Sequence, residues 1–197
     1  MEMTRMIFEQ KQPKVVVCKS GRAMIALNEQ VVQSVESVPM GMTDEGEMRY
    51  EEREKEQYAY DVCWLEKVGT EADVLNSAKA SVLAAIEAYD TSSAVNGFVL
   101  NGQRVWLDKA TRVGLMNSTT IAKAMGQPTT TLWLGDVKLV VECDKAIQLL
   151  SALEMYALEC FNVTAAHKKA VAEMSTVEEV LGYDYTAGYP KMLEMRI

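Results

Sequence analysis

Histidine is nearly absent from this chain, and its scarcity narrows the catalytic and metal chemistry open to the protein. Any Ser-His-Asp or Cys-His system would have to use the single histidine, His167. A structural zinc site needs closely spaced Cys or His ligands, and the four cysteines are far apart with no C-x-x-C pair. We therefore expect no metal or other cofactor, no disulfide framework and four free, mostly buried thiols. The cysteines are Cys18, Cys63, Cys143 and Cys160.

Motifs that bind phosphate or build a serine nucleophile are missing as well. Neither G-x-x-x-x-G-K-S/T nor G-x-G-x-x-G occurs, and there is no G-x-S-x-G elbow. Carboxylates are abundant, but they cluster between Asp44 and Glu56, where ordinary solvation explains them. His167 is expected in the first turn of a helix, with a solvent-facing or capping role. The sequence thus predicts no catalytic residues and no enzyme.

Long hydrophobic runs and an excess of positive charge are also lacking. No apolar run approaches the roughly 20 residues that cross a bilayer, and the early acid Glu2 precedes no apolar segment of a secretory signal. The 28 acidic residues outnumber the 20 Lys and Arg residues, for a net charge of -8. Such a charge disfavours a phosphate backbone as ligand. We expect a chain kept inside a cell, or inside a particle assembled there, with neither membrane nor nucleic acid as partner.

Residues 1–69 are predicted to form a small antiparallel β-rich domain. The runs Lys14–Cys18 and Arg22–Leu27 are short β-rich segments, and the residues 19–21 that join them are a hairpin signal. Tyr58–Leu65 is an aromatic and β-branched run that is typical of a further strand. Together these segments predict one antiparallel sheet.

Between these strands the pattern is less regular. Gln30–Val38 carries valines among polar residues and predicts a half-buried strand, whereas residues 39–42 are expected to break that strand and open a loop. Residues 44–57 are crowded with acids and interrupted by three basic residues. We interpret this stretch as a solvated loop or a charged edge ribbon, because the acid-and-glycine pattern of a calcium loop is missing.

A helix and two hairpin–helix segments are predicted for the rest of the chain. Apolar residues recur at helical spacing over residues 70–90, which predicts a connecting helix. Residues 91–197 then form a β-hairpin/helix domain in the order hairpin, helix, hairpin, helix, helix, so the expected fold class is α+β. The first hairpin is Gly97–Trp106, because Asn101-Gly102 supplies the two positive φ angles of a type I′ turn.

Four helical segments of this domain are predicted to begin at a residue whose side chain caps the first turn. The first segment ends near Gly126, and the second hairpin, Thr131–Val141, follows it. The second segment presents one broad apolar face that extends to Phe161, so it is predicted to be the core helix. The expected caps are Asp108, Asp144, Thr164 and Thr176.

Aromatic residues are the best candidates for contact with other molecules. Tyr183, Tyr185 and Tyr189 lie in a turn-rich tail, and tyrosines are favoured anchors of protein interfaces. The alternative is that these tyrosines fold back and cover a hairpin face. Trp64 is the fourth interaction candidate. A carbohydrate-binding surface would instead use exposed tryptophan rings to stack on sugars. The tryptophans are Trp64, Trp106 and Trp133.

The order and spacing of elements in the second half of the chain carry a resemblance to a family. It rests on Val95–Phe98, Gly102–Asp108, Arg112, Leu132-Trp133, Leu149–Ala157, Thr164–Val171 and Tyr183–Pro190. From about Ala78 to Met192 the chain resembles a domain of unknown function common in tailed-phage and prophage proteins. That domain often occurs in tail-fibre-assembly or tail-associated products of gut bacterial prophages. The resemblance implies a fold and a phage neighbourhood, and it carries over no catalytic or binding residue.

The resemblance and the missing catalytic motifs together predict a non-catalytic structural or tail-fibre-assembly protein, a chaperone or adaptor, of a tailed bacteriophage. The expected partner is a tail-fibre or baseplate protein, or a second copy of the chain. We expect the protein in the cytoplasm of the bacterial host during assembly, and either lost from the particle or retained in the virion tail. Two alternatives stay open: a cell-wall or glycan-degrading enzyme, and a carbohydrate-binding module.

Overall fold

An antiparallel sheet of four strands forms the N-terminal part of the fold. The computed structural model describes residues 3–42 and 46–196. Neighbouring strands pair in the order β1-β4-β3-β2, and every pair is antiparallel. The predicted antiparallel β-rich front is therefore confirmed. The strands are β1 (Thr4–Phe8), β2 (Val15–Val17), β3 (Arg22–Met42) and β4 (Met48–Glu66).

The described residues divide into two compact units. The first unit contains the residues up to Ser81 together with Ser175–Leu181, and the second contains Val82–Met174 and the residues from Gly182. Helix α1 (Val74–Asp90) contributes residues to both units. It follows a 3-10 turn, and it is the helix that the apolar spacing of residues 70–90 predicts.

The turn between β2 and β3 is the hairpin that the sequence predicts. Gly21 adopts φ +79°, a conformation that favours glycine. The Cys18 N–H donates to the Arg22 carbonyl across this turn at 2.8 Å. Strand β1, by contrast, was not predicted, because its short run is mostly exposed and shows no alternation. It pairs with β4 from Thr4 opposite Val62 to Phe8 opposite Tyr58.

The long β3–β4 pairing corrects one expectation and decides between the two alternatives of another. Residues 39–42 do not open a loop, because β3 continues to Met42, where a shift in register between Pro39 and Gly41 accommodates the proline. The acidic stretch forms a charged ribbon, since β4 begins at Met48. Asp44, at the start of the predicted stretch, lies outside the described residues.

Gln30–Val38 forms the half-buried strand that the sequence predicts, with its valines on both faces. Val31 and Val35 are 56% and 63% exposed, whereas Val32 and Val38 are half-buried. Successive side chains of a strand point to opposite faces, so Val31 and Val35 lie on one face of the sheet and Val32 and Val38 on the other. Gln30–Val38 is a strand, but one of its faces is open to solvent.

A small apolar cluster lies on one face of the four-stranded sheet. Met24 and Ala26 of β3 pack with Tyr60 and Val62 of β4, and Phe8 of β1 packs against them. Phe8 and Tyr60 meet edge to face with ring centroids 5.9 Å apart. The sheet is thus anchored at the end where four strands pair.

The last helix of the first unit, α5 (Val177–Leu181), begins at the capping box that the sequence predicts. The Glu179 N–H donates to the Thr176 hydroxyl at 3.2 Å, and the Thr176 N–H donates to the Glu179 carboxylate at 3.1 Å. Lys14 forms an ion pair with Glu178 at 3.0 Å, which ties α5 to the segment before β2.

In the second unit, α1 is followed by a short helix, α2 (Ser93–Asn96), which was not predicted from the sequence. The predicted hairpin comes next. Asn101 and Gly102 both adopt positive φ, at 49° and 84°, which confirms the type I′ turn. The C-terminal strand β9 (Leu193–Met195) was also missed, and it pairs with the first hairpin strand in parallel. The hairpin strands are β5 (Gly97–Leu100) and β6 (Gln103–Trp106).

Helix α3 (Lys109–Ala124) and the second hairpin agree with their predictions. The Asp108 carboxylate accepts the Thr111 N–H at 2.8 Å, and Gly126 ends the helix with φ +78°. The hairpin strands are β7 (Thr129–Leu134) and β8 (Val137–Glu142), joined at Gly135-Asp136.

Helix α4 (Cys143–Glu173) differs from its prediction in three respects. Glu142 occupies the cap position, so Asp144 does not cap the helix but lies in its first turn and forms an ion pair with Lys123. Thr164 does not start a new helix, because one continuous helix of 31 residues passes through it. Phe161 is 61% exposed and lies outside the apolar core face.

Among the helices of the described residues, none combines the length and the apolar composition that a membrane span requires.

Most of the remaining apolar face of α4 is buried as expected. It packs with both hairpins to form the core of the second unit. All four cysteines are free, and three of them are buried. The core residues are Phe98, Leu100, Val105, Leu107, Leu132, Leu134, Val141, Ala146, Leu149, Leu150 and Leu153.

Candidate functional site

A groove in the second unit brings together aromatic and charged side chains from four parts of the fold. Its volume is about 510 Å³, within the range of roughly 300–1,000 Å³ that small-molecule sites occupy. We call it the Trp106 groove. It is lined by Asp90, Thr91, Asn96, Trp106, Leu107, Asp108, Lys109, Arg112, Glu154, Ala157, Leu158 and Phe161.

Three large apolar side chains of the groove remain open to solvent. Trp106 ends β6 and is 40% exposed, and Phe161 and Leu158 on α4 are 61% and 49% exposed. Leu158 and Phe161 are three residues apart, so they share one face of the helix. Burial of such groups would be favourable, which makes the groove a surface on which a ligand gains apolar contact.

Arg112 lies at the floor of the groove and is only 8% exposed. Its Nη1 donates to the Leu107 carbonyl at 2.7 Å, and its Nε donates to a Glu154 carboxylate oxygen at 2.9 Å. These bonds use two of the three nitrogens of the guanidinium, whose Nη2 has no partner among the described residues. The buried charge is thus paired, with donor capacity left over.

The carboxylates of the groove already accept hydrogen bonds from other residues of the protein. Both Asp108 oxygens accept bonds from Thr111, one from its N–H and one from its hydroxyl, and these bonds hold the Asp108 pKa below its ordinary value. Asp90 accepts the Thr164 hydroxyl at 2.7 Å. A glycosidase acid needs a raised pKa, which Asp108 lacks. Within residues 3–42 and 46–196, no group of three side chains is placed to hold a metal ion.

His167 has a different environment from the one predicted. It lies well inside α4 and is half-buried, rather than solvent-facing in a first turn. Its Nδ1 is 2.7 Å from the Tyr183 hydroxyl, and its Nε2 is 2.9 Å from the Ala187 carbonyl. Since a carbonyl only accepts, Nε2 carries the proton and Nδ1 accepts from Tyr183 in the neutral ring. His167 therefore fastens the C-terminal tail to α4.

The three candidate tyrosines are half-buried in this tail. Tyr185 and Tyr189 contact the Tyr89 ring edge to face, with centroids 5.9 and 5.6 Å away. The Thr164 hydroxyl donates to Asp90 and so accepts from the Tyr189 hydroxyl, 2.9 Å away. Burial raises the Tyr189 pKa. The tyrosines thus cover α1 and α4, not a hairpin face.

The three tryptophans are exposed but have different neighbours. Trp64, the fourth interaction candidate, is 41% exposed and stacks under the Arg22 guanidinium at 4.9 Å. Trp133 is 56% exposed with the Lys138 ammonium 5.8 Å from its ring. Of the three, Trp106 lines the groove.

A second candidate surface lies on the part of the first unit where β3 and β4 pair alone, Val32–Met42 with Met48–Gln57, which we call the distal ribbon. On its acidic face, Gln33, Val35 and Ser37 lie opposite Glu56, Glu54 and Glu52. All six are exposed, and none of the three glutamates forms an ion pair within the described chain.

The opposite face of the distal ribbon has its charges neutralised. Lys55 forms ion pairs with Glu9 at 2.9 Å and Glu36 at 3.4 Å, and Arg53 pairs with Glu51 at 2.9 Å. The Glu9 contact raises the Lys55 pKa above its ordinary value. We call this the compensated face.

The Trp106 groove was not predicted from the sequence, although two signals pointed to it. Arg112 and Glu154 are charges within helix faces that are otherwise apolar, and such charges are buried only when paired. Their pairing across 42 positions of sequence is visible only in the tertiary structure.

Comparison with known proteins gives one family match. The family described as Domain of unknown function (DUF4376) matches residues 77–187, more than half of the chain. No curated protein and no solved structure matches. The match confirms that the resemblance is to a domain of unknown function. It contains every residue of the Trp106 groove and excludes the distal ribbon.

Proposed function

This chain belongs to the DUF4376 family, and we propose that it is a non-catalytic structural or tail-fibre-assembly protein of a tailed bacteriophage that acts through protein–protein contacts. The phage setting rests on the resemblance of residues 78–192 to phage-associated proteins. The mode of action rests on the distal ribbon. In this proposal, its acidic face docks on a basic surface of a tail-fibre or baseplate protein.

The exposed acidic face is the observation that supports this role. A free two-stranded ribbon is only marginally stable in water, because few of its side chains are buried. The distal ribbon nevertheless extends over roughly 35 Å at about 3.4 Å per residue. It exposes Val35 and Tyr50 on the same face as the three glutamates, and the exposed Val31 lies next to it on that face. Contact with a partner would bury these apolar groups.

The charge of this face favours one class of partner. Glu52, Glu54 and Glu56 follow one another on the same face, about 7 Å apart by strand geometry. A second copy docking through this face would place like charges together, which costs several kcal/mol in an interface. A surface rich in Lys and Arg would neutralise them. The partner is therefore a different, basic protein rather than another copy.

The unpaired ribbon edges supply a second means of attachment. Strand β2 pairs with β3 only as far as Ile25, and β1 pairs with β4 only from Tyr58 onward. Beyond those residues the outer edges of β3 and β4 offer backbone N–H and C=O groups to a partner strand. An extended segment that adds to such an edge is a known mode of recognition.

The test is recovery of the tagged protein from induced lysogens of the bacterial host, with chemical cross-linking and mass spectrometry of its partners. We expect cross-links from the distal ribbon to an identified fibre or baseplate protein. The triple variant Glu52→Lys, Glu54→Lys and Glu56→Lys should reduce recovery about tenfold or more, because it reverses the complementary charge. Raising salt should weaken the wild-type complex.

The compensated face provides the matched control. Glu36→Lys on β3 and Glu51→Lys on β4 change the charge by the same amount per residue on the opposite face of the ribbon, and they should leave partner recovery unchanged. Equal loss in both sets would show a general charge effect and not a docking face. Recovery of the wild-type protein only as a free monomer would overturn the proposal.

A further inference from the structure

We propose that the Trp106 groove binds a neutral oligosaccharide. This site is independent of the protein contact proposed for the distal ribbon, and it belongs to the segment that defines the family. The ligand class follows from the combination of exposed aromatic surface with a mixed set of hydrogen-bond donors and acceptors. Of the three tryptophans, Trp106 is the one expected to stack on the sugar.

A sugar ring has an apolar face of C–H groups and a rim of hydroxyls. Trp106 and Phe161 present the large flat apolar surfaces that such a face needs. Leu158 extends the same surface along α4. The cavity of about 510 Å³ has room for a short oligosaccharide rather than a single small ion.

The polar groups of the groove match hydroxyls, which both donate and accept. The Arg112 guanidinium offers Nη2 as a donor, because its Nε and Nη1 are already used. The Glu154 and Asp90 carboxylates each have one oxygen, Oε2 and Oδ2, outside the protein hydrogen bonds described above. Arg112 is fixed from two sides, so its remaining donor is preorganised for the ligand.

The same residues disfavour charged ligands. Asp90, Asp108 and Glu154 outnumber Lys109 and Arg112 in the lining, and Arg112 is already paired with Glu154, which disfavours phosphate and other anions. A cation would meet the buried Arg112 guanidinium and the Lys109 ammonium. A neutral ligand avoids both penalties and uses donors and acceptors together.

The experiment is titration of the purified full chain with maltotriose, cellotriose and triacetylchitotriose, followed by tryptophan fluorescence and isothermal titration calorimetry. We expect at least one of these neutral sugars to bind and to change the emission of Trp106. The signal should disappear in Trp106→Phe, and Trp106→Ala should weaken binding about tenfold, the equivalent of 1.4 kcal/mol.

Trp133→Phe and Trp64→Phe are the matched controls, because both rings are exposed to a similar extent outside the groove. They should retain both binding and the emission change. Glu154→Gln keeps an oxygen for the Arg112 Nε, and it should weaken binding about threefold or more because an amide NH2 group replaces the accepting Oε2. Circular dichroism of each variant checks folding.

Three outcomes would overturn this inference. The first is that none of the three sugars binds. The second is that binding is lost equally in the Trp133 control, which would mark a non-specific aromatic effect. The third is that choline chloride, or a peptide of a tail protein, occupies the groove while the sugars do not. Failure of the fibre or baseplate contact leaves this inference standing, since that experiment uses the distal ribbon.

Discussion

The distal ribbon and the Trp106 groove use charged residues in opposite ways. In the ribbon, Glu52, Glu54 and Glu56 face solvent with no ion pair among the described residues. In the groove, the buried Arg112 pairs with the half-buried Glu154, and 2.9 Å separates the Arg112 Nε from a Glu154 carboxylate oxygen. A charge in the ribbon is therefore available to a partner, whereas a charge in the groove first holds the protein together. This difference predicts where substitutions affect folding and where they affect only recognition.

The largest contrast is expected between apolar residues of the two regions. Leu150 of α4 is 1% exposed in the core of the second unit, and Leu150→Ala should lower the free energy of unfolding by about 2–5 kcal/mol through lost burial and a cavity. Val35 is 63% exposed in the ribbon, and Val35→Ala should change it by less than about 0.5 kcal/mol. Urea unfolding followed by circular dichroism measures both. Similar losses in the two variants would show that the ribbon face is covered.

A smaller contrast is expected between two arginines. Arg112→Ala leaves the Leu107 carbonyl and Glu154 without their donor, so the free energy of unfolding should fall by about 2 kcal/mol. Arg53→Ala removes an exposed pair with Glu51, which should cost less than about 0.5 kcal/mol. Thermal unfolding monitored by calorimetry distinguishes them. Equal effects would contradict the assignment of Arg112 to a buried role.

The smallest effect concerns pH and the Asp108 cap. Its pKa is lowered in the folded protein, so the carboxylate contributes stability above its unfolded pKa, and that contribution is lost as pH falls through the lower folded pKa. Asp108→Asn keeps an acceptor for the Thr111 N–H but does not titrate. Below the ordinary pKa of 3.8, its melting temperature should fall less steeply with pH than that of the wild type. Parallel curves would exclude the cap as a titrating contributor.

Local signals predicted much of the second half of the chain and failed at long-range packing. The Asn101-Gly102 turn and the Asp108 and Thr176 caps depend on neighbours in sequence, and all three were predicted correctly. The break before Thr164 was wrong, because this residue is buried against Asp90 and Tyr189 in an uninterrupted helix. A threonine that caps and a threonine that bonds across the fold look the same in sequence.

The candidate sites show the same limit. A carbohydrate surface requires exposed tryptophans, and all three are exposed, but nothing in the sequence distinguishes Trp106 from Trp64 or Trp133. The tail tyrosines were proposed as interface anchors, and the structure places them half-buried against α1 and α4. Their role in binding a partner stays a prediction.

The sequence by itself determined the α+β class, the two hairpin turns of the second unit and two of the four predicted helix caps, those at Asp108 and Thr176. These follow from local conformational preference and residue type, which act over a few positions. Only the tertiary structure decided that Arg112 reaches Glu154 and that three glutamates of β4 share one open face with Val31 and Val35 of β3. Such placements depend on contacts between residues distant in the chain, whose closure is set by the packing of the whole fold.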